Sequence, residues 1–150
     1  MPRNTPPVPK EALDYFERKG LVESWDYREV WKQEHNNAFT VAKSTGFDIV
    51  KDMRKAVDEA IRGGDTFKEF KDKVGPVMEK KGWTGFLQGP EGADDLVELF
   101  TDRRAKIIYD TNLRVSRTAG QWRRAQETKR ALPYFYYRLG PSESHRIEHE

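Results

Sequence analysis

The sequence predicts a mainly α-helical fold: several short helices, one long central helix, and a small aromatic β element near the C-terminus. Three observations carry that expectation. Apolar residues recur every three or four positions through much of the stretch from Lys10 to Lys81. A helical pattern then runs without proline from Thr101 to Ala131 and stops at Pro133. After that proline comes Tyr134-Phe135-Tyr136-Tyr137-Arg138-Leu139, whose aromatic density favours a strand.

Element by element, Met1–Pro9 carries four prolines and reads as a loose arm with no apolar stretch for a secretory signal. Pro9-Lys10-Glu11 opens a short helix to about Lys19, with Ala12, Leu13 and Phe16 on one face and Gly20 behind it. Ser24 or Asp26 can cap a second helix to about Ser44, buried through Tyr27, Val30, Trp31, Ala38, Phe39, Val41 and Ala42. Asp48 can cap a third, with Ile49, Met53, Ala56, Val57, Ala60 and Ile61 inward and Gly63-Gly64 at its end. Thr66 can cap a fourth through Phe67, Phe70 and Val74, which Gly75-Pro76 should interrupt before a last turn to Gly82. Residues 84–94 hold three glycines and a proline and read as a loop. The long helix follows from Asp94 or Thr101, then the aromatic strand, the Gly140-Pro141-Ser142 turn, and a short final helix capped by Ser142 or Ser144. The expected organisation is an arm (1–9), an N-terminal helical region (10–83), a linker loop (84–93) and a core (94–150).

Composition narrows the chemistry. The 150 residues include no cysteine, which removes disulfides, thiolate metal sites and cysteine nucleophiles. No apolar run is long enough to span a membrane. Eighteen aromatics supply enough apolar area for an ordered core despite 35% charged residues. The four tryptophans, Trp25, Trp31, Trp83 and Trp122, fit packing between helices better than a ligand cage.

The net charge of +2 hides a strong asymmetry, because residues 101–131 carry nine Lys and Arg against three Asp and Glu. Seven of those nine are arginine. On a helical wheel, Ala105, Ile108, Val115, Ala119 and Trp122 share an arc of about 100°, the expected core stripe. Arg103, Lys106, Arg114, Arg117, Arg124 and Arg130 are expected in an arc of roughly 80° on the other side, with Asp110 one turn from Lys106 and Arg114. Guanidinium forks match phosphate oxygens, so this edge suits double-stranded DNA read without regard to sequence, and it suits an acidic protein partner equally well. A plain solvated helix face accounts for the same pattern.

His145-Arg146-Ile147-Glu148-His149 matches the H-x-x-E-H pattern of inverted zinc proteases. A catalytic zinc needs a third protein ligand, and the remaining histidine, His35, sits in no ligand pattern. The sequence therefore implies no metal, no cofactor and no catalytic residue. There is no P-loop and no G-x-S-x-G motif either.

The stretch Arg104-Ala105-Lys106-Ile107-Ile108-Tyr109-Asp110-Thr111-Asn112-Leu113-Arg114, continuing through Thr118-Ala119-Gly120-Gln121-Trp122, resembles the central helix of phage Mu F-like head-morphogenesis (minor head) proteins. Leu132-Pro133-Tyr134-Phe135-Tyr136-Tyr137 and Gly140-Pro141-Ser142-Glu143 fit the same family, as do Pro9-Lys10-Glu11-Ala12, Tyr15-Phe16, Lys19-Gly20-Leu21, Asp26-Tyr27, Glu34-His35, Ala38-Phe39-Thr40-Val41-Ala42-Lys43 and Thr66-Phe67-Lys68-Glu69-Phe70. The resemblance implies a non-enzymatic head component of a tailed phage or prophage, made in the host cytoplasm and carried in the virion head. Portal and capsid proteins are its implied partners, and some family members take part in DNA packaging or delivery. The family's domain ordinarily runs on past the region of His149, so the expectation is a C-terminally shortened member. The alternatives by function class are a DNA-binding module and a nuclease or toxin-like domain.

Overall fold

The structure is a computed structural model, and it describes residues 9–24, 37–41, 46–88, 96–134 and 136. Pro9, with φ of −56°, starts α1 (Lys10–Glu17), which buries Ala12 and Phe16 as the spacing predicts. The next two elements are short strands. β1 (Gly20–Leu21) pairs in parallel with β2 (Ala38–Phe39), Gly20 opposite Ala38 and Leu21 opposite Phe39. The backbone N–H of Gly20 donates to the carbonyl of Asn37 at 2.8 Å and that of Val22 to Phe39 at 3.1 Å. A hydrogen bond of 2.6 Å between the Ser24 and Thr40 hydroxyls extends the pair.

This corrects the expected helix over 24–44 where it can be seen, at residues 37–41. Ala38, Phe39 and Val41 are all buried, but as an extended segment against β1. Residues 25–36, which include Trp25 and Trp31, lie outside the described residues, as does Ala42.

α2 (Phe47–Gly63) matches its expected range, although Gly46, not Asp48, is the cap, and Asp48 sits in the first turn where a carboxylate suits the helix dipole. Gly64 ends it at φ 63°, ψ 33°, a left-handed conformation in which its N–H donates to the carbonyl of Ala60. α3 (Phe67–Lys80) opens with a reciprocal box: Thr66 accepts from the Glu69 N–H while the Glu69 carboxylate accepts from the Thr66 N–H at 2.8 Å. The expected break at Gly75-Pro76 does not occur, and the helix runs through Pro76. Gly75 has no Cβ to clash with the proline ring, and Asp72, whose carbonyl loses its partner, is exposed to water.

The described part of the expected loop over 84–94 contains a strand. β3 (Phe86–Gln88) pairs antiparallel with β4 (Leu96–Glu98), Leu87 opposite Val97. Gly85, at φ 80°, accepts from the Leu99 N–H at 2.8 Å and sets the register. The long helix α4 (Asp102–Glu127) begins at Thr101, whose hydroxyl accepts from the Arg104 N–H at 3.0 Å. It ends four residues before Ala131. Of the expected strand over 134–139, Tyr134 and Tyr136 are described; neither lies in a strand, and both are 91% exposed. The rest of that segment, the final turn and the final helix lie outside the described residues.

One apolar cluster joins these elements. Phe16, Phe39, Val41, the inner face of α2, Phe70, Val74, Met78, Trp83 and Leu99 meet Ala105, Tyr109 and Leu113 of α4. Residues on both sides of 84–93 therefore share one core. Tyr109 lies against Phe70 (5.3 Å between ring centres) and Phe67 (5.8 Å), and its hydroxyl donates to the buried Asp65 carbonyl. α1 crosses the far half of α4 at Gly120, where an added Cβ would lie 2.8 Å from the backbone nitrogen of Ala12.

Candidate functional site

The candidate site is the surface of α4, and which residues it offers depends on how the helix is rolled into the core. Its buried residues are Ala105, Tyr109, Leu113, Ser116 and Gly120. The buried arc is rotated by about 90° from the expected stripe of Ala105, Ile108, Val115, Ala119 and Trp122. Tyr109 and Leu113 bring the area that reaches Phe70, and Gly120 admits α1, so shape overrides mean apolarity. Trp122 is 60% exposed and Ile107 56%, while Ile108, Val115 and Ala119 are half-buried. Trp83, by contrast, is fully buried beside Phe100.

Three faces result. The second is cationic and runs beside the buried face. Arg103, Lys106, Arg114, Arg117 and Arg124 are all exposed on it. Arg130 is exposed too, but it lies in the turn beyond the end of α4 at Glu127, and at about 100° per residue even a continued helix would set it opposite Arg103, so it does not belong to the arc. Lys106 pairs with Asp110 at 3.1 Å, as its spacing predicts, and its ammonium stands 5.2 Å over the Phe67 ring. Arg124 pairs with Glu11 of α1 at 3.2 Å, and the neighbouring Arg123 meets Asp14 at 3.6 Å. Glu11 is held below the ordinary glutamate range, first by a backbone hydrogen bond at its helix start and then by Arg124 and Arg123. The C-terminal end of the arc is thus partly neutralised by α1. Arg103, Arg114 and Arg117 have no ion pair among the described residues. They span about 21 Å of helix at 1.5 Å per residue.

The third face turns away from the core. Ile107, Thr111, Val115 and Trp122 lie along it, and it borders a groove of about 630 Å³ between α4 and the β2 segment. Phe39, Val41, Ile108 and Val115 line its apolar part, and Lys19, Arg103 and Arg104 contribute its cations. No carboxylate lines it among the described residues. Lys19 is 6% exposed, and burial pushes its ammonium below the ordinary lysine range. Arg104 donates to the Leu99 carbonyl at 2.5 Å, so it is anchored at the mouth of the groove. The sequence reading missed this groove, because its second wall belongs to residues expected in a helix.

His35, His145 and His149 lie outside the described residues, so the H-x-x-E-H segment has no described geometry. Among the described residues no helix is long and apolar enough to cross a membrane, and no cluster of three acidic or histidine side chains could hold a metal ion.

The chain is 36% identical over 131 residues, 86% of its length, to the protein named "Putative capsid assembly protein F" of Escherichia phage Mu. It is 30% identical over 114 residues, 76% of its length, to "Mu-like prophage FluMu F protein" of Haemophilus influenzae. The chain is a homologue of the Mu F proteins. It spans 30% of the Mu protein and 27% of the Haemophilus one, under a third of either relative. No family model matches the chain, and no solved structure does. The Mu F relationship gives the head-assembly resemblance of the α4 segment a footing across most of the chain.

Proposed function

We propose that this chain is a minor component of a phage or prophage head, that it acts in head morphogenesis at or near the portal, and that it works by binding rather than by catalysis. The observation that carries this reading is the identity to a capsid assembly protein across 86% of the chain. Portal and capsid proteins are the partners, and the place of action is the assembling head in the host cytoplasm and then the virion. Co-expression with the portal and capsid genes of a Mu-like phage tests the proposal. The chain should sediment with procapsids and leave them when the portal gene is deleted. Absence of the chain from particles would overturn the reading.

The exposed arc favours a second contact. Arg103, Arg114 and Arg117 form no ion pair among the described residues, Lys106 and Arg124 stand on the same edge, and Arg130 follows in the turn beyond the helix. We read this edge as a surface for DNA phosphates, engaged without base readout. Three arginines on phosphates contribute a slope of about −3 to log K against log salt, or about 40-fold in affinity between roughly 50 and 200 mM salt. Changing Arg103, Arg114 and Arg117 to glutamate should remove that slope while circular dichroism stays unchanged. Retained binding with an unchanged slope would refute the DNA contact and leave an acidic protein surface as the occupant of the arc.

A further inference from the structure

The outward face of α4 carries more than charge. Ile107 and Trp122 are among the largest exposed apolar residues of the described chain. They lie about 22 Å apart on the same side of the helix, with Thr111 and Val115 between them. The groove beside them is concave and floored by Phe39, Val41 and Ile108. Such a surface matches helix-in-groove recognition, in which a partner helix inserts apolar anchors one turn apart.

We propose that the α4 groove and its outward apolar stripe bind an acidic amphipathic helix of a partner protein. The proposal rests on the reading of the chain as an assembly component and names the chemistry of the partner. Charge complementarity selects that occupant. Arg103 and Arg104 line the groove, and no carboxylate is among its lining residues in the described chain. A ligand helix with glutamates flanking its apolar anchors would place them against these cations. A second copy of this chain fits badly, because its own α4 face carries Arg103 and Arg104 and would bring like charge to the groove. A flat anionic bilayer cannot fill a concave groove.

The test uses the full chain and a fluorescein-labelled probe of about four helical turns, built from leucine at helical spacing and glutamate elsewhere. A second probe carries lysine in place of every glutamate. Fluorescence anisotropy should show saturable binding of the acidic probe and at least about tenfold weaker binding of the basic one. Ile107→Glu should weaken the acidic probe about tenfold or more, with the helical circular dichroism unchanged because Ile107 is mostly exposed. Equal binding of the two probes, or indifference to Ile107→Glu, would overturn the proposal. So would a dimer by sedimentation that Ile107→Glu dissolves, or binding confined to phosphatidylserine-containing vesicles. Particle incorporation separates this proposal from the one beneath it. If Ile107→Glu still enters heads, the groove is not the docking site there and the assembly role stands; if the wild-type chain never enters heads, the assembly role falls.

Discussion

Gly120 is the position where one methyl group should matter most. A Cβ there would lie 2.8 Å from the backbone nitrogen of Ala12, 3.0 Å from its Cα and 3.0 Å from its Cβ. Carbon atoms pack best at about 3.5–4.0 Å, so α1 would have to retreat by roughly half an ångström or more. Two of the three close atoms are backbone, which no rotamer change can move aside. Alanine is about 1 kcal/mol better than glycine inside a helix, and overpacking costs about 1–3 kcal/mol. Relief from propensity is therefore smaller than the strain, and Gly120→Ala should lose about 1 kcal/mol net. Gly120→Leu should lose about 3 kcal/mol or expel α1. In a chain of this size, 1 kcal/mol moves Tm by about 2–4 °C. Urea unfolding followed by far-ultraviolet circular dichroism measures the loss. Ala12→Gly should cost less beside Gly120→Ala than alone, because the Cβ contact disappears while the 2.8 Å contact to nitrogen remains. Gly120→Ala as stable as the parent, or more so, would refute the close approach of α1 and α4.

Ser116 is 1% exposed and its hydroxyl has no hydrogen-bond partner among the described residues, so Ser116→Ala should stabilise the chain by about 1 kcal/mol in the same urea assay. Tyr109→Phe keeps the ring contacts with Phe70 and Phe67 but strands the Asp65 carbonyl, and should cost about 1–2 kcal/mol. Glu11 is depressed in the folded chain, so its contribution is complete above the ordinary glutamate pKa and is lost as pH falls through the lower folded value. Melting curves at a series of acidic pH values should therefore fall less steeply for Glu11→Gln than for the parent. Removing both acids of α1, Glu11→Ala with Asp14→Ala, frees Arg124 and leaves Arg123 with Glu127; if the arc binds DNA, the salt slope should steepen by about 1.

The elements that were legible in the sequence are those fixed by local chemistry. Thr66 with Glu69 announces α3, Gly63-Gly64 closes α2, and Thr101 and the proline-free stretch behind it frame α4. The misread elements depend on partners distant in sequence. Phe39 and Val41 fit a helical period as readily as an alternating one, and only pairing with Gly20–Leu21 decides. Phe86–Gln88 hides among glycines for the same reason. Pro76 looked like a stop because proline usually is one; a preceding glycine and an exposed acceptor lessen that cost. The roll of α4 was hidden because Ser116 and Gly120 add nothing to an apolar count, yet they face inward where α1 comes close. A glycine in the middle of a strong helix was the available signal. The arc itself was legible as a run of cations, but its partial neutralisation by Glu11 and Asp14 was not.

The roll of α4 changes what its surface can do at one time. Had the expected stripe been buried, the helix would present one free side, and DNA and protein would compete for it. With Tyr109 and Leu113 inward instead, the cationic edge and the apolar stripe both stay accessible, their centres about 100° apart around the axis. Isolated exposed apolar residues are ordinary on a protein surface. Ile107 and Trp122 are more than that, because Ile107 and Val115 line a groove whose described lining holds no carboxylate and Trp122 continues the same stripe beyond it. On the two proposed contacts together, the helix can lay one edge along phosphates while its outward side holds a partner helix. A component with that arrangement would couple nucleic acid to protein without a moving part. Mutations on one edge should then leave the other contact intact, since Arg114 and Arg117 do not line the groove, whereas Arg103, which belongs to both, should weaken the two together.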